Sequence, residues 1–310
     1  MASRPLNLLI YYGYLNCFNS SVNQWNNEKV AIDMAKYDIL VFGDGVANPN
    51  HADYINASVI IPRLFNIKSD IKIFGYVSAN QNINDFKLKV DQWDNLHVTG
   101  IFIDEAGYDF GVTRDQLNER IAYIRGKSYS NICFVNAWNE NHIIGVENDP
   151  SYPNNIYNPS LNNSLLGKKD YYLLESFVVN TLSYSNSYAS QSDIMFRGQR
   201  AVTLENLYGL KYMSVNIINN DNPNGQQLFN FAYYVSLAYN VEGIGSSDIY
   251  YGASSASVKF WNRPSPKTIG STSKVIVTTD NNDNNICYRY GDFSILTLNF
   301  STHNASISTY

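Results

Sequence analysis

Eight short runs of consecutive apolar residues recur along the chain, and helical patterns alternate with them. The clearest run is Ile101-Phe102-Ile103, which ends abruptly in Asp104, Glu105, Ala106, Gly107 and Tyr108. No polar residue alternates within it. That is the mark of a strand covered on both faces, as in a parallel sheet. The two acids fall at its C-terminal end, where parallel α/β folds gather their functional groups.

The other runs repeat this design. Leu6 to Tyr14 reads as the first strand and Asn23 to Tyr37 as a helix, with Trp25 among its apolar members. Asp38 to Phe42 is a second strand, and Ala52 to Ile67 a helix interrupted by Pro62. Ile71 to Ser78 is a third strand. The helix Ile83 to Asn95 follows, with Phe86, Leu88, Val90 and Trp93 as its expected buried face. After the 101–103 strand, Thr113 and Gln116 form a capping-box pattern that opens a helix. Asn131 to Ala137 is the fifth strand. Trp138 to Lys169 is a long polar stretch, and loops of that length tend to be functional or inserted. Tyr171 to Val179, Lys211 to Ile218 and Val241 to Ile249 complete the strands, with helices at Ser187 to Leu207 and Gly225 to Asn240. Eight strands alternating with helices over about 250 residues predict an α/β fold, a (β/α)8 TIM barrel. A doubly wound sheet would want a glycine-rich phosphate loop after the first strand, and Gly13-Tyr14-Leu15-Asn16 is not one.

Near residue 260 the character changes. Trp261, Pro264 and Pro266 precede alternating segments at Val275 to Thr279, Ile286 to Tyr290, Phe293 to Asn299 and Ala305 to Tyr310, separated by turn-rich residues. The expected organisation is a barrel over 1–260 and a C-terminal antiparallel β extension over 261–310, packed on the barrel.

Composition narrows the partners. The 310 residues carry a net charge of −5, which gives no basic footprint for nucleic acid. No apolar run is long enough for a membrane span. No secretory signal is visible before the first strand, which leaves the compartment open: extracellular or surface-associated if a signal has been removed, otherwise cytoplasmic or particle-associated. The 25 tyrosines offer flat apolar faces with a hydroxyl, which suits sugar rings; AT-rich coding would raise Tyr and Asn equally well. Cys17, Cys133 and Cys287 make no disulfide framework, and any one pairing among them stays open. The four histidines are scattered without metal-ligand spacing, so no metal and no cofactor is expected.

In a barrel the strand ends converge. They carry Asn16, Asp44, Ser78 and Asn80, then Asp104 and Glu105, Asn136 and Trp138, Glu175, Asn216 and Asp248. Glu175 lies inside the apolar run Leu173 to Phe177, where a carboxylate is costly unless partnered. Burial would raise its pKa, which suits a general acid. A structural ion pair with Arg197 or Arg200 is the plainer alternative. Strands four and six are two apart, so Asp104 and Glu175 can face each other over the roughly 5–10 Å that glycoside hydrolysis uses. Strand alternation should send Glu105 to the other side, toward a helix or a supporting hydrogen bond. Tyr12, Tyr76 and Tyr108 are further candidates for contact with a sugar, or for ordinary packing.

The segments Gly75-Tyr76-Val77-Ser78, Gly100 to Glu105, Phe134 to Ala137 and Leu173 to Ser176 occur in order and at barrel spacing. Together they resemble the spherulin-4-like family and the related endo-α-1,4-polygalactosaminidase glycoside hydrolases, over roughly residues 8 to 180. The resemblance implies a retaining mechanism, with Asp104 as nucleophile and Glu175 as general acid/base. It also implies a polysaccharide or oligosaccharide substrate such as a galactosamine polymer. The family's Asn-Pro-Gly element stands here as Asn136-Ala137-Trp138. The rival reading is a non-catalytic structural or glycan-binding protein on the same barrel, a surface, coat or appendage component. The C-terminal β region would be its route to self-assembly.

Overall fold

The computed structural model describes residues 5–146, 149–154, 156–179, 188–248, 257–264, 277–279, 286–290 and 294–309. Eight parallel strands close into a barrel in sequence order: β1 (Leu6–Tyr11), β2 (Ile39–Phe42), β3 (Lys72–Ser78), β4 (Gly100–Asp104), β5 (Ile132–Val135), β6 (Tyr171–Glu175), β7 (Lys211–Ile217) and β8 (Gly243–Ser247). β1 pairs with both β2 and β8, which completes the ring. This is the (β/α)8 architecture that the alternation of strands and helices predicts.

Among the described residues eight α-helices lie outside the ring: α1 (Ser20–Asn23), α2 (Asn27–Met34), α3 (Tyr54–Ile67), α4 (Ile83–Asn95), α5 (Arg114–Arg125), α6 (Glu140–Ile143), α7 (Gln191–Tyr208) and α8 (Gly225–Ala238). The expected helix 23–37 is divided. Gln24 and Trp25 are left-handed, with φ of 55° and 57°, so the chain breaks there. Asn26 then caps α2 by accepting from the Glu28 and Lys29 amides. Trp25 is consequently exposed rather than buried. α3 runs through Pro62 without ending. Leu88 faces solvent on α4, while Phe86, Val90 and Trp93 are buried as expected. At α5 both halves of the Thr113–Gln116 capping box form. Several strands stop earlier than their apolar runs; β6 ends at Glu175, and Ile249 lies outside the described residues.

The barrel interior is a separate apolar cluster. Leu8, Ile10, Ile39, Val41, Phe74, Phe102, Phe134, Tyr171, Leu173, Met213 and Val215 fill it. The Phe102 and Phe134 rings meet edge to face at 5.0 Å, and Phe134 meets Phe74 at 5.5 Å, the geometry their quadrupoles favour. A second, larger cluster lies between the strands and the helices.

Within the described residues after β8, the segment 257–264 packs against the outside of the barrel. Phe260 meets Tyr37 edge to face at 5.2 Å. Trp261 is buried over Gly225, where a side chain would overlap the indole. Arg263 bonds Asp38 at 2.7 Å. The C-terminal strands β9 (Val277–Thr279), β10 (Ile286–Tyr290), β11 (Ser294–Asn299) and β12 (Asn304–Thr309) form an antiparallel sheet in the order β12-β11-β10-β9. Its Leu296, Leu298 and Phe300 are buried in the same cluster as α8. Phe231 of α8 meets Phe300 at 5.7 Å, and His303 stacks on Tyr188 at 3.7 Å. Cys17 and Cys133 are free thiols, so they do not pair with each other; the Cys287 side chain lies outside the described residues. No helix among the described residues is long and apolar enough to cross a membrane.

Gly75 shows how closely the helix layer sits. A Cβ there would overlap the Trp93 ring, whose Nε1 donates to the Tyr76 carbonyl at 3.1 Å. Gly75→Ala is expected to destabilise the barrel by about 1–3 kcal/mol through overpacking. Urea denaturation reads this directly, and an unchanged midpoint would contradict so close an approach.

Candidate active site

Alternation along the strands decides which polar residues reach the barrel mouth. Phe102, Phe134 and Leu173 point inward, so two residues later Asp104, Asn136 and Glu175 point inward as well. Phe74 is followed in the same way by Tyr76 and Ser78, and Ile10 by Tyr12. Register then sets their heights. Ile103 pairs with Val135, which puts Asp104 level with Asn136. Phe134 pairs with Tyr171, so Asn136 is level with Leu173 and Glu175 stands one inward position higher.

The Asn136 amide joins the two acids. Its Nδ2 donates to Asp104 Oδ1 at 3.0 Å and lies 3.5 Å from Glu175 Oε2. Two oxygens on one nitrogen can be no further apart than the sum of those distances. That keeps the two carboxylates below the upper limit of roughly 10 Å for glycosidase carboxyl pairs.

Asp104 is the more enclosed acid. Burial raises its carboxyl above the usual range, and the neighbouring Glu105 charge adds to this. The Glu105 backbone N–H, the Tyr76 hydroxyl and the Asn136 amide all donate to it and act the other way. Burial, then the Asp104 charge, push the Tyr76 phenol well above its ordinary value, so it stays protonated and able to donate. Tyr12 meets Tyr76 edge to face at 5.4 Å.

Glu175 corrects an expectation. It is exposed rather than buried, because β6 ends there and its register lifts it to the rim. Glu175 therefore keeps its contact with solvent, and desolvation falls on Asp104. Nor do the arginines take its carboxylate. Arg197 donates to the Glu175 carbonyl oxygen at 2.7 Å, and Arg200 pairs with Glu140 at 3.2 Å.

Glu105 departs from simple alternation. It adopts a left-handed conformation, φ 55°, and its carboxylate accepts from the Ser78 hydroxyl at 2.5 Å within the mouth. Ser176, directly after Glu175, is left-handed too, with φ 49°. Such backbone in a non-glycine residue is uncommon and gathers at functional sites. No residue type in the sequence signals it. Ser78, visible as a strand-end hydroxyl, gains its place only through this contact.

The other candidates divide. Asp44 is exposed and pairs with Lys89 at 2.8 Å. Trp138 is 87% exposed, two residues beyond Asn136. Asp248 follows β8, is half-buried and has a partner. Asn216 is not a mouth residue. It is fully buried, and its Oδ1 accepts from the Val178 and Val179 amides at 3.0 Å, bracing the chain after β6. Tyr108 also lies elsewhere, because the 3-10 turn Tyr108–Phe110 carries it beneath the long loop. It is buried between the rings of His142 at 4.3 Å and Tyr157 at 5.0 Å. The Tyr108 N–H donates to His142 Nδ1, so the His142 proton sits on Nε2 and is donated to Asp149 at 2.7 Å. The long stretch after β5 is thus pinned down by a buried stack. Among the described residues no three His, Cys, Asp or Glu side chains converge as a metal would require.

No family model matches this chain, and no curated protein matches it. Solved structures similar to it include the N-acetylneuraminate lyase from Mycoplasma synoviae, at 8% identity and TM-score 0.42, covering 79% of this chain and 70% of that one. Another is a noncanonic maltogenic alpha-amylase from Thermotoga neapolitana, at 10% identity and TM-score 0.47, covering 95% and 86%. A third is an intracellular xylanase from Thermoanaerobacterium saccharolyticum, at 12% identity and TM-score 0.41, covering 80% and 86%.

Asp104 carries a testable linkage. Its folded pKa is raised, so the folded state holds this proton to higher pH than the unfolded chain. Its contribution to stability is therefore present at low pH and lost as pH rises through the raised value. Asp104→Asn removes that loss. Thermal denaturation at pH 4 and pH 7 should show the variant gaining on the wild type as pH rises, and the opposite trend would contradict a desolvated Asp104.

Proposed function

We propose that this protein hydrolyses glycosidic bonds with Asp104 and Glu175 as a retaining pair. The observation that carries the reading is the single Asn136 amide shared by both carboxylates. Asp104 is the nucleophile. It is held from three directions, and burial makes its carboxylate more basic than a solvated one. It attacks the anomeric carbon while the bond to the leaving oxygen breaks. Glu175, at the rim, gives that oxygen its proton. Glu175 then takes a proton from water, and the resulting hydroxide releases the sugar from Asp104. A sugar ring over the rim withdraws Glu175 from water and strengthens its electrostatic contacts.

The substrate in this reading is a polysaccharide or oligosaccharide with cationic amino sugars. Glu105 and Glu175 add negative charge beside Asp104 and Tyr76. The exposed Trp138 and Tyr12 offer ring faces for stacking. Those same aromatic faces favour a second reading, glycan binding without chemistry.

The test is turnover of a glycan panel that includes galactosamine and glucosamine polymers. Asp104→Asn and Glu175→Gln should each cut kcat by about a thousandfold or more, a barrier change of about 4 kcal/mol. Full turnover in either variant would end the assignment. Wild-type binding without cleavage of any glycan would favour the second reading.

A further inference from the structure

The rim acid stands where the sheet gives out. β5 pairs with β6 only at Phe134–Tyr171 and Val135–Tyr172, which leaves Glu175 without a ladder partner on that side. β7 follows β6 as far as the Glu175–Val215 pair. Past it, the Phe177 N–H donates to the Val215 carbonyl at 3.4 Å, and Asn216 takes the Val178 and Val179 amides. The left-handed Ser176 lies between these holds, and such backbone persists only where its surroundings over-determine it. A helix meets that need. Arg197 of α7 donates from Nη2 to the Glu175 carbonyl at 2.7 Å and from Nη1 to the Ser176 carbonyl at 3.3 Å. The guanidinium is itself fixed. Nη1 lies 3.7 Å from the Asp193 carboxylate, one turn earlier on α7, and the group sits 5.6 Å from the centre of the buried Phe177 ring.

We infer that Arg197 is a positioning residue: its guanidinium fixes the two peptide groups that flank Ser176, and through them the direction in which the Glu175 side chain leaves the rim, a role that rests on Glu175 being the general acid/base proposed above. A carbonyl oxygen marks the plane of its peptide group. With both planes held, the φ and ψ of Ser176 are set. The β7 ladder holds the N-terminal side of Glu175, and Arg197 holds its C-terminal side. The Cα–Cβ bond between them then has one direction, the one that brings Oε2 to 3.5 Å from the Asn136 amide. Arginine suits this where lysine does not, because two donors in a rigid fork reach two acceptors at once. Its bonds go to the backbone, so the Glu175 carboxylate is left to exchange protons. A proton donor must stand within hydrogen-bond reach of the leaving oxygen, and small misplacements are costly in rate.

Two variants test this role. Arg197→Met keeps an apolar stem over Phe177 and loses both donors. Arg197→Lys keeps the charge but can reach only one carbonyl. One readout needs no substrate: the proton and nitrogen-15 signals of the Asn136 side-chain amide, which lies between the two carboxylates. Glu175→Gln gives the reference position of those signals when the Glu175 carboxylate is lost. Arg197→Met should move them along the line from wild type toward that reference, and Arg197→Lys should move them part of the way. Signals that stay at the wild-type position, or move off that line, overturn the role. If the Met protein does not fold, the Lys protein decides on the same terms. An active glycan adds a second readout. Arg197→Met should lower kcat/KM by about 10- to 100-fold on an ordinary glycosidic bond, whose oxygen needs a proton, with a much smaller loss on an aryl glycoside of an acidic phenol, which leaves without one. Equal losses on both substrates are what a merely structural arginine would give, and they overturn the role. Because the amide signals require no cleavage, their failure to move is distinct from failure of the glycosidase reading, which the Asp104→Asn and Glu175→Gln assays decide.

Discussion

Inward alternation along a closed, staggered parallel sheet is the constraint on which this site depends. Phe102, Phe134 and Leu173 fill the barrel, so the next inward positions, Asp104, Asn136 and Glu175, must stand at its mouth. The closed ring gives these strands no freedom to rotate. A slip of one residue in any of them would turn its polar group into the helix layer and an apolar one into the mouth. The aromatic floor beneath withdraws Asp104 from water, and the donors around it are what make that tolerable.

The same geometry separates the two acids in character. The β4–β5 register keeps Asp104 beside Asn136, while the β5–β6 register lifts Glu175 to the rim. One carboxylate is therefore enclosed and triply bonded, and the other is open to solvent and to whatever approaches. Two carboxyls in unlike environments are what an acid–base division of labour needs. The left-handed residues after each acid, Glu105 and Ser176, are local costs that the rest of the fold absorbs. The capping box of α5, the 257–264 segment with its Arg263–Asp38 pair, and the stack of Tyr157 on Tyr108 on His142 are among the places where such costs are offset.

Much of the scaffold was legible in the chain. The apolar runs located all eight barrel strands, and Thr113 with Gln116 marked the start of α5. The strand ends pointed to Asp104, Asn136 and Glu175, Tyr76 was a separate candidate for sugar contact or packing, and these residues do come together. The misreadings have definite causes. Apolar residues continue past the end of β6, so the run from Tyr171 to Val179 suggested a longer strand and a buried Glu175. The chain instead turns at Ser176, whose apolar neighbours read as strand. Trp25 looked like a helix's buried member because its spacing fits, but Gln24 and Trp25 break the helix by conformations that the sequence does not advertise. Asn216 was indistinguishable from a ligand-facing amide until its partners, the Val178 and Val179 amides, were in place. Tyr108 likewise needed the fold of the following loop to show that it stacks on His142.

The sequence by itself determined the alternation of strands and helices, the inward parity of Asp104, Asn136 and Glu175, and the net charge of −5. Periodicity is a local property, so it can be read from neighbours along the chain. Only the tertiary structure decided the heights of the two acids, the shared amide between them, the exposure of Glu175 and the left-handed turn at Glu105 that accompanies its bond to Ser78. Each of these depends on register between strands far apart in sequence, and on hydrogen bonds that reach across them. Register is fixed by how the whole barrel closes, and no single stretch of sequence carries that information.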